Sequence, residues 1–191
     1  MKQYSGFEAK KIGGAREILP AGGYVAEVIS AKVESTDWGD KLVIAFDIAE
    51  GERKGFFKAD FDGNTMEDKR WRGTYRAYVP VDDGSERDVW SKNTMNNVIA
   101  CFQESNPGFA WNWDEKKLKG LKIGVLFRNK EWKMNDRTGW TTECCALETV
   151  DAIREGKFRT PKDKPLKTSA VEASGPALKP IDEIDPSELP F

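Results

Sequence analysis

Eight consecutive residues, Lys69-Arg70-Trp71-Arg72-Gly73-Thr74-Tyr75-Arg76, hold four cations and two aromatic rings. Cations pair with phosphates and aromatic faces stack on bases, so interleaving them is the chemistry of gripping an unpaired polynucleotide strand. On an extended chain Arg70, Arg72, Thr74 and Arg76 share one face, with Trp71, Gly73 and Tyr75 on the other. A single track therefore requires a twist or bulge near Gly73. A second group lies further on. Arg128, Lys130 and Trp132 have strand parity opposite to Ile123, Val125 and Phe127, so they project away from the core. Arg137 and Trp140 stand across the following turn, near enough to join them. Lys58, alternating away from Phe57 and Ala59, and Trp38 in an early hairpin loop complete the candidate contacts. Each has a plainer reading. Tryptophans in sheets mostly pack, and alternating Lys and Arg also blunt sheet edges.

Positive charge is not in overall excess. The formal net charge is −2, and His is absent from all 191 residues. Residues 1–159 hold 26 basic and 26 acidic groups, and residues 160–191 hold four and six. A neutral body can bind a polyanion only if its cations gather on one face. The lack of His removes the commonest general base and the His-dependent triads and zinc sites. A carboxylate-only metal nuclease built on Asp60, Asp62, Glu67 and Asp68 remains an alternative, although these residues lack a companion motif. Three cysteines (Cys101, Cys144, Cys145) make neither a disulfide framework nor a zinc knuckle, and Cys144 and Cys145 are expected on opposite strand faces. No cofactor or metal is expected. No apolar run reaches the roughly 20 residues needed to span a bilayer. The amino terminus has no signal-peptide core, so the expected location is the cytoplasm.

These side chains need a scaffold, and the periodicity predicts a mainly β one. Strands are expected over 24–33, 42–49, 55–61, 71–79, 121–132 and 140–147, where apolar residues alternate or run together between turn residues. A helix is expected over 91–106, with Ser91 as its N-cap and Pro107-Gly108 as its stop. One or two helical turns follow at 151–156. The expected organisation is an N-terminal arm over 1–19, a β domain over 20–159, a Pro/Lys/Ser linker over 160–179 and an acidic tip over 180–191. A five-stranded Greek-key barrel of the oligonucleotide-binding (OB) type, with one inserted α-helix and a disordered acidic tail, accommodates this order. A small β-sandwich or an α+β roll is the alternative.

The tip has a chemistry of its own. Asp182, Glu183, Asp185 and Glu188 precede the apolar Leu189-Pro190-Phe191, without a basic residue among them. Such a segment suits a basic-rimmed apolar pocket on a partner protein.

Several motifs carry a family resemblance. They are Pro20-Ala-Gly-Gly-Tyr24, Asp47-Ile-Ala-Glu-Gly51 with Lys54-Gly-Phe-Phe-Lys58, Glu104-Ser-Asn-Pro-Gly108, Leu118-Lys-Gly120 and Ile153-Arg-Glu-Gly-Lys-Phe158. With them the chain resembles small phage-encoded proteins of replication modules, some of which are taken to be single-stranded-DNA-binding proteins. Its ending is similar to the acidic, Pro-Phe-terminated tip of bacterial single-strand-binding proteins. The resemblance implies an OB-like fold that coats single-stranded DNA in a bacterial host cytoplasm. It also implies a tip that recruits replication and recombination proteins, with no enzymatic activity. Self-association is left open. A protein-interaction or recombination-mediator module is the other binding-protein alternative.

Overall fold

A computed structural model describes residues 17–166. The acidic tip, with Asp182, Glu183, Asp185, Glu188, Leu189, Pro190 and Phe191, lies outside the described residues. Most of the N-terminal arm does too.

The chain builds one five-stranded antiparallel open sheet in the order β3-β2-β1-β4-β5. Its strands are β1 (Gly22–Glu34), β2 (Lys41–Ile48), β3 (Thr74–Tyr78), β4 (Lys122–Met134) and β5 (Arg137–Glu148). Helix α1 (Phe56–Gly63) follows β2, α2 (Glu86–Ser105) lies between β3 and β4, and α3 (Val150–Arg154) follows β5. Alternation places Leu42, Ile44, Phe46 and Ile48 of β2 in the central core with Ile123, Val125 and Phe127 of β4, while Val43 and Leu126, of the other parity, are buried too. Phe46, Phe57 and Phe127 pack as a ring triad with centroids 5.7–6.1 Å apart. None of the three is more than 2% exposed. Met95, Val98, Cys101 and Phe102 carry one stripe of α2 onto this core.

Three local departures from the sequence expectations have identifiable causes. Residues 55–61 are not a strand. Phe56 and Phe57 open α1, whose first N–H groups are capped from a distance. The Asp47 carboxylate accepts from Phe57 N (2.9 Å) and Lys58 N (3.1 Å), while the N-cap residue, Gly55, supplies no side chain. Lys58 therefore stands on a helix, paired with Asp62 at 2.7 Å.

Helix α2 begins at Glu86, five residues before its expected N-cap residue, Ser91. Ser85 is the true N-cap, accepting from Asp88 N, and Ser91 lies inside the helix bonded back to the Arg87 carbonyl. Asp88 is 1% exposed and accepts from the N–H groups of Val81, Asp82 and Gly84, which moulds the loop before α2.

Residues 71–73, expected to open a strand over 71–79, also fall outside β3. Gly73 passes so close to β2 that a Cβ there would meet the Phe46 carbonyl oxygen at 2.3 Å. The strand starts only after that crossing.

The β4–β5 hairpin turns tightly on Asn135-Asp136, Asn135 having φ 54. Beyond its pairing with β1, the outer half of β4 has another neighbour. Residues 163–166, expected to belong to the linker, lie along it, with Lys164 N donating to the Asn129 carbonyl at 2.7 Å and Glu131 N to the Lys164 carbonyl at 2.9 Å. Among the described residues no helix is long and apolar enough to cross a membrane.

Candidate nucleic-acid interface

The open sheet leaves two edges, β3 and β5, and their side chains meet across a cleft of about 450 Å³. Arg70, Trp71, Arg72, Thr74 and Arg76 line one wall, and Lys130, Thr141, Thr142, Glu143 and Cys144 the other. Because residues 69–73 are irregular, Trp71 joins the arginines here instead of facing away from them. The indole is part of the cleft's frame: its Nε1 donates to the Phe46 carbonyl at 3.0 Å, and its ring packs 5.7 Å from Phe61. Tyr75 keeps the opposite parity. It packs against the core, where burial pushes its hydroxyl pKa up to about 12. It is not brought to the cleft, and neither is Lys58.

Charge in the cleft is partly neutralised. Arg72 makes a two-pronged bond to Asp60 at 2.7 and 2.8 Å, which fixes the guanidinium in the wall. Glu143 is shared by Arg128 (2.8 Å) and Lys130 (3.4 Å). Burial opposes the ionisation of Glu143, but Arg128 and Lys130 outweigh it and hold the carboxyl below the usual range. Arg70, Arg76 and Arg137 form no ion pair among the described residues. Arg76 instead donates to the Thr74 hydroxyl at 2.7 Å. Of the six predicted cations of the cleft and hairpin, Arg72, Arg128 and Lys130 are thus paired by two carboxylates, Asp60 and Glu143; six positive charges against these two negative ones leave an excess of four.

The hairpin register divides the second predicted group. Arg128, Lys130 and Trp132 pair with Glu143, Thr141 and Gly139, and Met134 pairs with Arg137, so all lie on one face. Trp132 lies flat over Gly139, where a Cβ would stand 2.8 Å from the ring. Trp140 pairs with Glu131 and faces the other way. The expected convergence holds for Arg128, Lys130, Trp132 and Arg137 but not for Trp140.

Beyond Arg76, β3 continues to Tyr78, two residues and about 7 Å further along the same face. Tyr78 is sandwiched between Lys41 (4.7 Å) and the Arg87 guanidinium (4.6 Å). It borders a second hollow of about 280 Å³ whose rim includes Trp38, which is 72% exposed at the tip of the β1–β2 loop. Arg87 also donates to the Trp38 carbonyl, which ties that loop to α2. Lys41, Tyr78 and Arg87 were absent from the sequence candidates. The parity of Tyr78 with Arg76 was readable, but its two cations arrive from β2 and α2 through tertiary packing.

The carboxylates of the nuclease alternative are dispersed. Asp60 is engaged by Arg72, Asp62 by Lys58, and Glu67 and Asp68 lie exposed on the following loop. Among the described residues no group of three or more Cys, Asp or Glu side chains is placed to hold a metal ion.

No family model matches this chain, and a search of curated proteins returns no match.

Proposed function

We propose that this protein binds single-stranded DNA along the β3 face, from the outer surface of the β4–β5 hairpin, through the β3–β5 cleft, to Tyr78 and Trp38. The observation that carries the reading is the cleft itself. Arg70, Arg72, Arg76 and Lys130 converge beside the Trp71 ring although the chain up to residue 159 has no net charge.

The strand order supports an OB-type barrel. In that architecture oligonucleotides bind across strands 2 and 3 and the loops joining strands 1–2 and 4–5, with a helix between strands 3 and 4. The corresponding parts here carry Arg76 and Tyr78, Trp38, and the Trp132–Arg137 hairpin end. On the sequence resemblance, the protein coats and protects single strands in phage replication or recombination without enzymatic activity. The acidic 180–191 stretch is then the element offered to replication and recombination proteins.

The test is titration of oligo-dT, followed by tryptophan fluorescence across a salt series. An excess of four cations predicts that log K falls with log salt at a slope of about −3, as expected for roughly four phosphates on a single strand. Quenching without cleavage in magnesium is the expected result. Absence of binding at low salt would overturn the reading.

A further inference from the structure

The connection between α2 and β4 contains two tryptophans that the cleft does not use. Trp111 is wedged against the core beside Ile99, Phe102 and Leu118, and its backbone N–H donates to Gln103 Oε1 at 3.2 Å. Its indole N–H is buried without a hydrogen-bond partner among the described residues. Trp113 meets the Trp111 ring at 6.1 Å with an interplanar angle of 66°, yet it is 78% exposed. Trp113 also has φ 65, the left-handed region that a bulky side chain enters only at a cost in strain.

Two unfavourable features thus meet at one residue, an apolar ring in water and a strained backbone. Packing inside the fold compensates little of either. Just downstream, Lys116, Lys117 and Lys119 are exposed and form no ion pair among the described residues, while Asp114 is engaged in capping the turn that carries them.

An exposed aromatic face with unpaired ammonium groups three to six residues further along the chain suits a flat, anionic ligand. Resting on the function proposed above, we propose that Trp113, braced edge-on by Trp111 and flanked by Lys116, Lys117 and Lys119, is a second stacking platform for unpaired bases. It lies outside the β3–β5 cleft and engages strands longer than those that fill the cleft.

The experiment compares wild type, Trp113→Ala and Trp113→Gly, each as the full chain, for anisotropy with labelled oligo-dT of about eight and about forty nucleotides. Losing one stacked base predicts that affinity for the long oligonucleotide falls about tenfold in both variants, with the short one unaffected. Glycine relieves the positive φ, so Trp113→Gly is expected to raise Tm by about 2–4 °C while binding weakens. A residue kept for folding alone would not show that opposition. If wild type binds neither length, the proposed function fails and this platform with it. If wild type binds both and the variants match it, only the platform is overturned. Equal weakening for both lengths would place Trp113 in the primary track and overturn a separate contact. Loss of self-association in sedimentation, without change in oligonucleotide binding, would assign the ring to a second copy of the chain instead.

Discussion

Arg76 and Arg72 differ by four residues in sequence and sharply in what they are free to do. Arg72 is committed to Asp60 through two short bonds, with side-chain exposures of 19% and 12%, so its removal would take a two-pronged partner from a largely buried carboxylate. Arg76 is exposed and, among the described residues, is held by a hydrogen bond to the Thr74 hydroxyl without an ion pair, so it can turn to a phosphate at little cost. Arg76→Glu is therefore expected to leave the urea midpoint nearly unchanged. It should weaken oligo-dT binding and make the salt slope shallower by about one, which a titration at several salt concentrations would read. An unchanged slope would remove Arg76 from the interface. The cysteines belong at this scale as packing residues. Cys144 packs against the core, and burial pushes the thiols of Cys101, Cys144 and Cys145 above their ordinary range, which leaves them poor nucleophiles.

At the level of elements, α1 shows how a distant side chain decides a conformation. Its eight residues are too few to hold a helix alone, and Gly55 cannot cap it. Asp47, at the end of β2, supplies acceptors to two of its N–H groups and also to Ile48 N. Asp47→Ala is expected to cost about 1 kcal/mol in urea unfolding, with a loosened α1 detectable by faster amide exchange at Phe57 and Lys58. Since α1 carries Asp60, and Asp60 fixes Arg72, the same substitution should weaken oligonucleotide binding modestly. Unchanged exchange at those two amides would show that the cap is unimportant. The long hairpin follows the simpler logic of strand parity, which by itself puts Arg128, Lys130 and Trp132 on the outer face.

For the molecule as a whole, acid should act through the carboxylates that tie elements together. Glu50 is bonded by Arg154 of α3 and Lys122 of β4, and these bonds hold its pKa down to about 2 from an ordinary 4.5. The Lys92 bond, aided by the N–H groups of Asp82 and Gly84, likewise holds Asp88 at about 2 against an ordinary 3.8. A carboxyl with a lowered folded-state pKa contributes fully above its unfolded value and loses that contribution as pH falls through the folded one. Stability should therefore be flat above about pH 4.5 and decline toward pH 2. Glu50→Gln should lower the urea midpoint at pH 7 and converge on wild type near pH 2. A constant gap between the two across that range would contradict the linkage.

The sequence by itself determined the mainly β character, a long helix ahead of the last hairpin, the outward face of that hairpin, and the stretches where rings and cations interleave. All of these follow from periodicity, which is written into neighbouring residues. Tertiary structure alone decided that residues 56–63 coil into a helix, that Trp71 joins the arginines while Tyr75 and Trp140 turn away, and which cations Asp60 and Glu143 neutralise. It also brought β3 opposite β5, across the intervening residues 79–136, and added Lys41 and Arg87 to Tyr78. Those outcomes depend on partners that meet through space, such as the Asp47 carboxylate or the Phe46 carbonyl, and no local pattern of residue types specifies which partners the completed sheet brings within bonding distance.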